Sequence, residues 1–179
     1  MTIESIDDPR PSLFAEAESR GDDDGVIEIL DRVTTDWAKR IADIQTVLLQ
    51  TSSVKVRNAA AVALVDMNAK AACDTIVTVL RRPDIAPEAG TLLYALDEVG
   101  ASLPLDVAID LIENGSYETR AETLLLLQAG RITPFETDAR DAAVLRLSAY
   151  RAAQDLELSE AAGIALEAIA PRTEARPHP

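Results

Sequence analysis

Val56-Arg57-Asn58-Ala59-Ala60-Ala61-Val62-Ala63-Leu64 is the stretch that decides the fold. Its apolar residues recur at intervals of three and four, the period of a helix face, and its alanines are small enough to let a neighbouring helix approach closely. The run fits a V-R-x-x-A-A-x-A-L pattern at every specified position, and the pattern returns downstream. Thr119-Arg120, followed by Thr123-Leu124 and Leu126-Leu127, repeats the arginine and the apolar spacing, while Ala95-Leu96 and Ala165-Leu166 mark two further copies. The penultimate residues of the copies, Ala63, Ala95, Leu126 and Ala165, are separated by 32, 31 and 39 residues, so the last copy carries an insertion. A period in this range is expected of helical hairpins stacked in series. Ala63 to Leu80 and Ala95 to Ile112 align without a gap, each placing a short turn between two amphipathic helices.

Outward from this stretch the same period continues through Trp37, Ile41, Ile44 and Leu48, and through Ala72, Cys73, Ile76, Val79 and Leu80. Pro11 is suited to opening a first helix, Asp24 or a neighbour to capping one over about 26–32, and Thr34-Thr35-Asp36 to capping one that runs to Gln50. Further helices are predicted at about 53–67, 70–82, 87–99, 104–113, 117–129, 135–153 and 157–169, with Pro87, Pro104 and Pro134 where three of them begin. Residues 1–10 and the Pro-rich 171–179 show no periodicity and are expected to be disordered, which leaves 11–170 as a single domain. A chain of 179 residues is about one domain and can bury a core without covalent staples.

The pattern resembles the HEAT-like repeats, in particular the short bacterial form called the PBS-lyase HEAT-like repeat. The resemblance runs from about Trp37 to Ala170, is strong at 47–80 and 95–127, and is faint before residue 36. It implies an all-α fold: a short right-handed α-solenoid, or superhelix, of about four stacked antiparallel helical hairpins preceded by one or two extra helices. The second helix of each hairpin would then line the concave surface. Pro87-Glu88 and Leu158-Ser159 stand where the pattern has Val-Arg, and the outer copies read as caps.

Composition narrows the function. Seventeen basic against 31 acidic residues give a formal charge of −14, with 47% apolar and only 3% aromatic residues. No apolar run approaches the roughly 18 residues that cross a bilayer, and the acidic amino terminus lacks the features of a secretory signal, so a cytoplasmic protein without a membrane partner is expected. Cys73 is the only cysteine and His178 the only histidine, which removes zinc sites, Ser-His-Asp triads and Cys-His pairs; neither metal nor cofactor is expected. Asp22-Asp23-Asp24-Gly25 is similar to a calcium loop, but the twelfth position counted from Asp22 is Val33, so it reads as a cap and turn. Cys73 sits on an apolar stripe with Ile76 and Leu80 and reads as a structural thiol. An all-carboxylate glycosidase site lacks sugar-stacking aromatics: Phe14, Trp37, Tyr94, Tyr117, Phe135 and Tyr150 are scattered, several at core-like positions.

Acids dominate the polar positions of the second helices. Asp36, Asp43, Asp74, Asp106, Asp110, Glu113, Asp138 and Asp141 come from four successive units and form a candidate partner-binding ridge, diluted by Lys39, Arg40 and Lys70. Asp106 and Asp110 are four apart on one helix face, where like charges repel unless a positive group stands opposite, which hints at a basic partner. A solvated polar face is the plain alternative. Among the activities that the resemblance implies, DNA glycosylase work needs a cationic groove that a charge of −14 opposes, so no nucleic-acid partner is expected. HEAT-like hydroxylases hold iron with His-Glu motifs, and those ligands are missing. A phycobilin-lyase-like chromophore chaperone stays open, without a bilin motif to support it.

The expectation is therefore a non-catalytic protein-binding module whose acidic concave face docks a basic protein. Its concrete form is a bacterial immunity or antitoxin-type inhibitor, and a general scaffold or adaptor is the alternative. Oligomeric state is left open. Exchanging Asp106 and Asp110 for lysine is expected to spare the fold and weaken the partner.

Overall fold

A computed structural model describes residues 17, 20–31, 37–67, 70, 73–151 and 155–170. Residues 1–10, Pro11 and the tail 171–179, for which expectations were stated above, lie outside the described residues, as does the Thr34-Thr35-Asp36 cap. Among the described residues the chain is all-helical: α1 Asp23–Asp31, α2 Trp37–Gln50, α3 Val54–Asp66, α4 Cys73–Leu80, α5 Gly90–Glu98, α6 Leu105–Asn114, α7 Tyr117–Gln128, α8 Thr137–Arg151 and α9 Leu156–Ile169.

Side-chain caps start several odd-numbered helices. Asp22 Oδ1 accepts from Gly25 N at 2.9 Å, Ser53 Oγ from Val56 N at 3.3 Å, Ser116 Oγ from Thr119 N at 3.3 Å and Asp155 Oδ1 from Leu158 N at 3.0 Å. Helix α5 departs from the expected 87–99. A 3₁₀ turn, Ala86–Glu88, precedes it, and α5 starts only at Gly90. The Ala89 N–H is diverted sideways to Thr119 Oγ1 on α7, at 3.2 Å.

Helices α5 and α7 end alike. Gly100 and Gly130 take φ of +71° and +70°, and the residue after each donates back to the carbonyl of Leu96 or Leu126 at 2.9 Å. Left-handed glycine closing a helix in this way satisfies orphan carbonyls. Both exits then run extended side by side, where Leu103 N donates to Arg131 O at 2.9 Å and Thr133 N to Leu103 O at 3.0 Å. Gly100-x-x-x-Pro104 and Gly130-x-x-x-Pro134 repeat 30 residues apart, a second periodic signal in the chain.

The odd-numbered helices pack in series, α1 on α3, α3 on α5, α5 on α7 and α7 on α9. On the other side α2 packs on α4 and α6 on α8. The hairpins differ in phase from the sequence reading, which joined α3 to α4, α5 to α6 and α7 to α8. The substantial contacts run α2–α3, α6–α7 and α8–α9, with a weaker one between α4 and α5. Connection geometry explains the difference. Residues 51–53 and 115–116 are tight links that fold a helix directly back on its predecessor, whereas the extended exits after Gly100 and Gly130 carry the chain away.

The alanines of the deciding stretch do what their size allows: Ala60 and Ala61 are wholly buried. Arg57, 2% exposed, donates from Nη2 to the Glu88 carbonyl at 3.2 Å and lies 3.5 Å from the Glu88 carboxylate. Glu88, where the pattern has arginine, thus adds a carboxylate beside the preceding copy's arginine, whose hydrogen bond goes to the main-chain carbonyl. Arg120, its counterpart, donates from Nε to the Ile112 carbonyl at 2.9 Å and reaches within 3.9 Å of Glu157.

Two substitutions test the packing. Ala60→Leu is expected to overpack the helix contact and cost about 1–3 kcal/mol; an unchanged melting curve would mean that residue 60 faces no neighbour. Gly130→Ala meets no atom within 4 Å, so its expected loss of about 1–2 kcal/mol isolates the left-handed backbone, and a thermal melt as stable as wild type would contradict that conformation.

Candidate functional site

The candidate ridge centres on α6. This helix is buried on two flanks: Val107, Ala108 and Leu111 belong to one apolar core with α1–α5, while Leu105, Ile109 and Ile112 belong to a second with α8 and α9. Asp106 and Asp110 remain exposed along its edge, with Glu113 half-buried beside them.

The positive charge opposite this acidic edge comes from the molecule itself. Just past the end of α4, Arg81 engages Asp106 with both terminal nitrogens, at 2.5 and 3.4 Å. From α8, Arg146 donates to Glu113 at 2.9 and 2.5 Å and to Asp110 at 2.6 Å. The repulsion between Asp106 and Asp110 is therefore relieved in cis. Hydrogen bonding to Arg81 holds the Asp106 carboxyl below the usual carboxylate range, against the opposing effect of partial burial. The Glu113 hydrogen bond raises Arg146 further above its ordinary value, with Asp110 adding to it.

The other ridge residues are dispersed. Asp36 lies outside the described residues, and Asp43 is half-buried on α2. Asp74 opens α4 and Asp138 opens α8; both are exposed and carry no ion pair among the described residues. Asp141 is exposed, 3.6 Å from Arg140. Of the diluting cations, Arg40 caps the end of α1 through the carbonyls of Ile29 and Leu30. Sequence reasoning missed Arg81 and Arg146 as components of the ridge. The signal was available: Arg146 follows Asp110 and Glu113 by 36 and 33 residues, about one repeat.

Cys73 is half-buried at the core margin, and burial, aided by Asp74, pushes its thiol up, away from the reactive thiolate. The run Asp22-Asp23-Asp24-Gly25 is engaged as cap and anchor: Asp23 accepts from Ser53 Oγ at 2.6 Å and Asp24 pairs with Lys55, both at the start of α3. Among the described residues no group of three or more His, Cys, Asp or Glu side chains could hold a metal ion, and no helix is long and apolar enough to cross a membrane. No protein-family model, curated protein or solved structure matches the chain.

The Arg81–Asp106 pair predicts a sign of pH dependence. Its folded pKa lies below the unfolded value near 4, so the pair stabilises at neutral pH and its contribution disappears as pH falls through the carboxylate range. Both partners are about half exposed, so the contribution is below about 1 kcal/mol. Wild type should melt above Asp106→Asn at pH 7, with the gap closing by about pH 2.5; a gap independent of pH would remove the ion pair as its cause.

Proposed function

We propose that the chain is a non-catalytic protein-binding module, a short right-handed solenoid of HEAT-like hairpins whose acidic face docks a basic protein. The serial packing of α1, α3, α5, α7 and α9, with α2–α4 and α6–α8 beside it, supports the solenoid. The observation that carries the function is the exposure of carboxylates on successive even-numbered helices, Asp74 on α4, Asp106 and Asp110 on α6, and Asp138 and Asp141 on α8, in a chain of charge −14.

A field of one sign speeds encounter with an oppositely charged surface and discriminates against like-charged ones. Because Arg81 and Arg146 already occupy the α6 acids, an approaching partner must compete with them there. Asp74 and Asp138 face no such competition and carry the steering. The sharpest form of this reading is an inhibitor that covers a basic active site, as an immunity or antitoxin-type protein does.

The test is capture by the tagged protein, at low salt, from the organism that encodes it, followed by elution at high salt. A stoichiometric basic protein released by salt, with an association rate that falls steeply as salt rises, is expected. Retention insensitive to salt, or a small coloured molecule in place of a protein, would overturn the reading. Assaying the captured partner with and without the chain separates inhibitor from adaptor.

Charge reversal should divide the ridge. Asp74→Lys with Asp138→Lys is expected to slow association several-fold while the fold persists. Asp106→Lys with Asp110→Lys places lysines against Arg81 and Arg146, so a lowered melting temperature should accompany any loss of binding, contrary to the harmless exchange expected from sequence. Unchanged association in the first variant would remove the ridge from the interface.

A further inference from the structure

The odd-numbered layer carries a surface that the acidic ridge does not include. Val62 on α3, Tyr94 on α5 and Leu125 on α7 are 41%, 49% and 58% exposed. They occupy one repeat position, immediately before Ala63-Leu64, Ala95-Leu96 and Leu126-Leu127, on helices that pack consecutively. Each copy buries the second residue of the following pair and leaves the one before the pair in solvent. The result is an apolar row running across three helices, with Tyr94, one of the aromatics that read as scattered in the sequence, at its centre.

Acids surround the row. Asp66 stands one turn beyond Val62, Glu98 one turn beyond Tyr94, and Glu122 three residues before Leu125, and none of the three has an ion pair among the described residues. This differs from the α6 edge, where arginines answer the carboxylates. Exposed apolar anchors amid unanswered negative charge fit a binding surface better than a merely solvated helix face.

We propose that this row is the docking site for a basic amphipathic helix of a partner protein. The reading rests on the protein-binding function proposed above and moves the anchoring contacts to the other layer. Charge complementarity selects the occupant: lysines or arginines flanking apolar side chains meet Asp66, Glu98 and Glu122 while the apolar side chains cover the row. Packed helices lie about 8–10 Å apart, and residues seven apart on a partner helix are about 10.5 Å apart on one face, so a heptad-spaced stripe laid across α3, α5 and α7 matches the three anchors. A second copy of the chain would bring another charge of −14 to the same surface.

The probe is a synthetic peptide of about 18 residues with leucines at every seventh position between lysines, compared with a scrambled peptide of the same composition. Wild type is expected to bind the patterned peptide at least tenfold more tightly than the scrambled one. Tyr94→Ser with Leu125→Ser should abolish that difference, whereas Leu145→Ser, at an exposed apolar position on α8 away from the row, should preserve it. Amide hydrogen exchange on the unsubstituted complex should show protection on α3, α5 and α7. Equal affinity for the two peptides, or protection confined to α4, α6 and α8, would overturn this surface and leave the acidic-docking function standing. Failure of both peptides to bind at low salt would strike at that function as well. Dimerisation of the free protein that is lost in the serine variant would assign the row to a second copy and overturn the proposal.

Discussion

Helix α6 is buried on both flanks, and the arrangement of the remaining helices follows from that. A helix with Val107 and Leu111 in one core and Ile109 and Ile112 in another cannot lie on the outside of a bundle; it has to be a wall between neighbours. The short 115–116 link sets α7 directly against it, and Leu126 and Leu127 divide between the same two cores. Only a narrow edge of α6 is left to water, and that edge is acidic. The cross-layer arginines are answers to this constraint. Arg81 reaches it from the α4 side and Arg146 from the α8 side, so the strip where the two cores meet is held by charge where apolar packing stops.

Helix positions were largely legible because a periodicity of three and four needs only local information: α3, α6, α7 and α9 begin and end within two residues of where apolar spacing and capping residues put them. The phase of the hairpins was not. An amphipathic pattern marks which face is buried and leaves open which neighbour buries it, and that choice rests on whether a connection turns tightly or leaves extended. Gly100 and Gly130 held the information, through a left-handed backbone that only their repeated spacing to Pro104 and Pro134 advertises. At the candidate site the helices that carry Asp43, Asp74, Asp106, Asp110, Glu113, Asp138 and Asp141 were legible, while the arginine partners of the α6 acids were not, since Arg81 precedes Asp106 by 25 residues and Arg146 follows Asp110 by 36. Pairing across that separation is a property of stacking and is invisible to a search along one helix.

The distribution of charge has a common logic. Lys55 pairs with Asp24 between α1 and α3, Arg57 with Glu88 between α3 and the 3₁₀ turn, Arg81 with Asp106, Arg120 with Glu157, and Arg146 with Asp110 and Glu113. Each of these cations crosses a seam between successive packing units, at a sequence separation of roughly one repeat. Acids outnumber bases 31 to 17, so a fold that uses its bases at internal seams leaves its surplus of carboxylates facing outward. The net charge is set by composition, and the cross-helix pairs decide where it is neutralised: the α6 edge is answered by Arg81 and Arg146, while Asp74 and Asp138 have no ion pair among the described residues.

That division separates two ways of contributing to a complex. Long-range charge acts before contact: it raises the encounter rate, falls away with salt and is insensitive to the exact side chains that carry it. Desolvated apolar anchors act after contact, by slowing dissociation, and depend on register. In the proposed reading Asp74 and Asp138 act in the first way, and Val62, Tyr94 and Leu125, exposed on consecutively packed helices, in the second. Substitution on the even-numbered layer should therefore appear in the association rate, and substitution on the odd-numbered layer in the dissociation rate. A single equilibrium constant would blend the two effects and conceal which layer the partner holds.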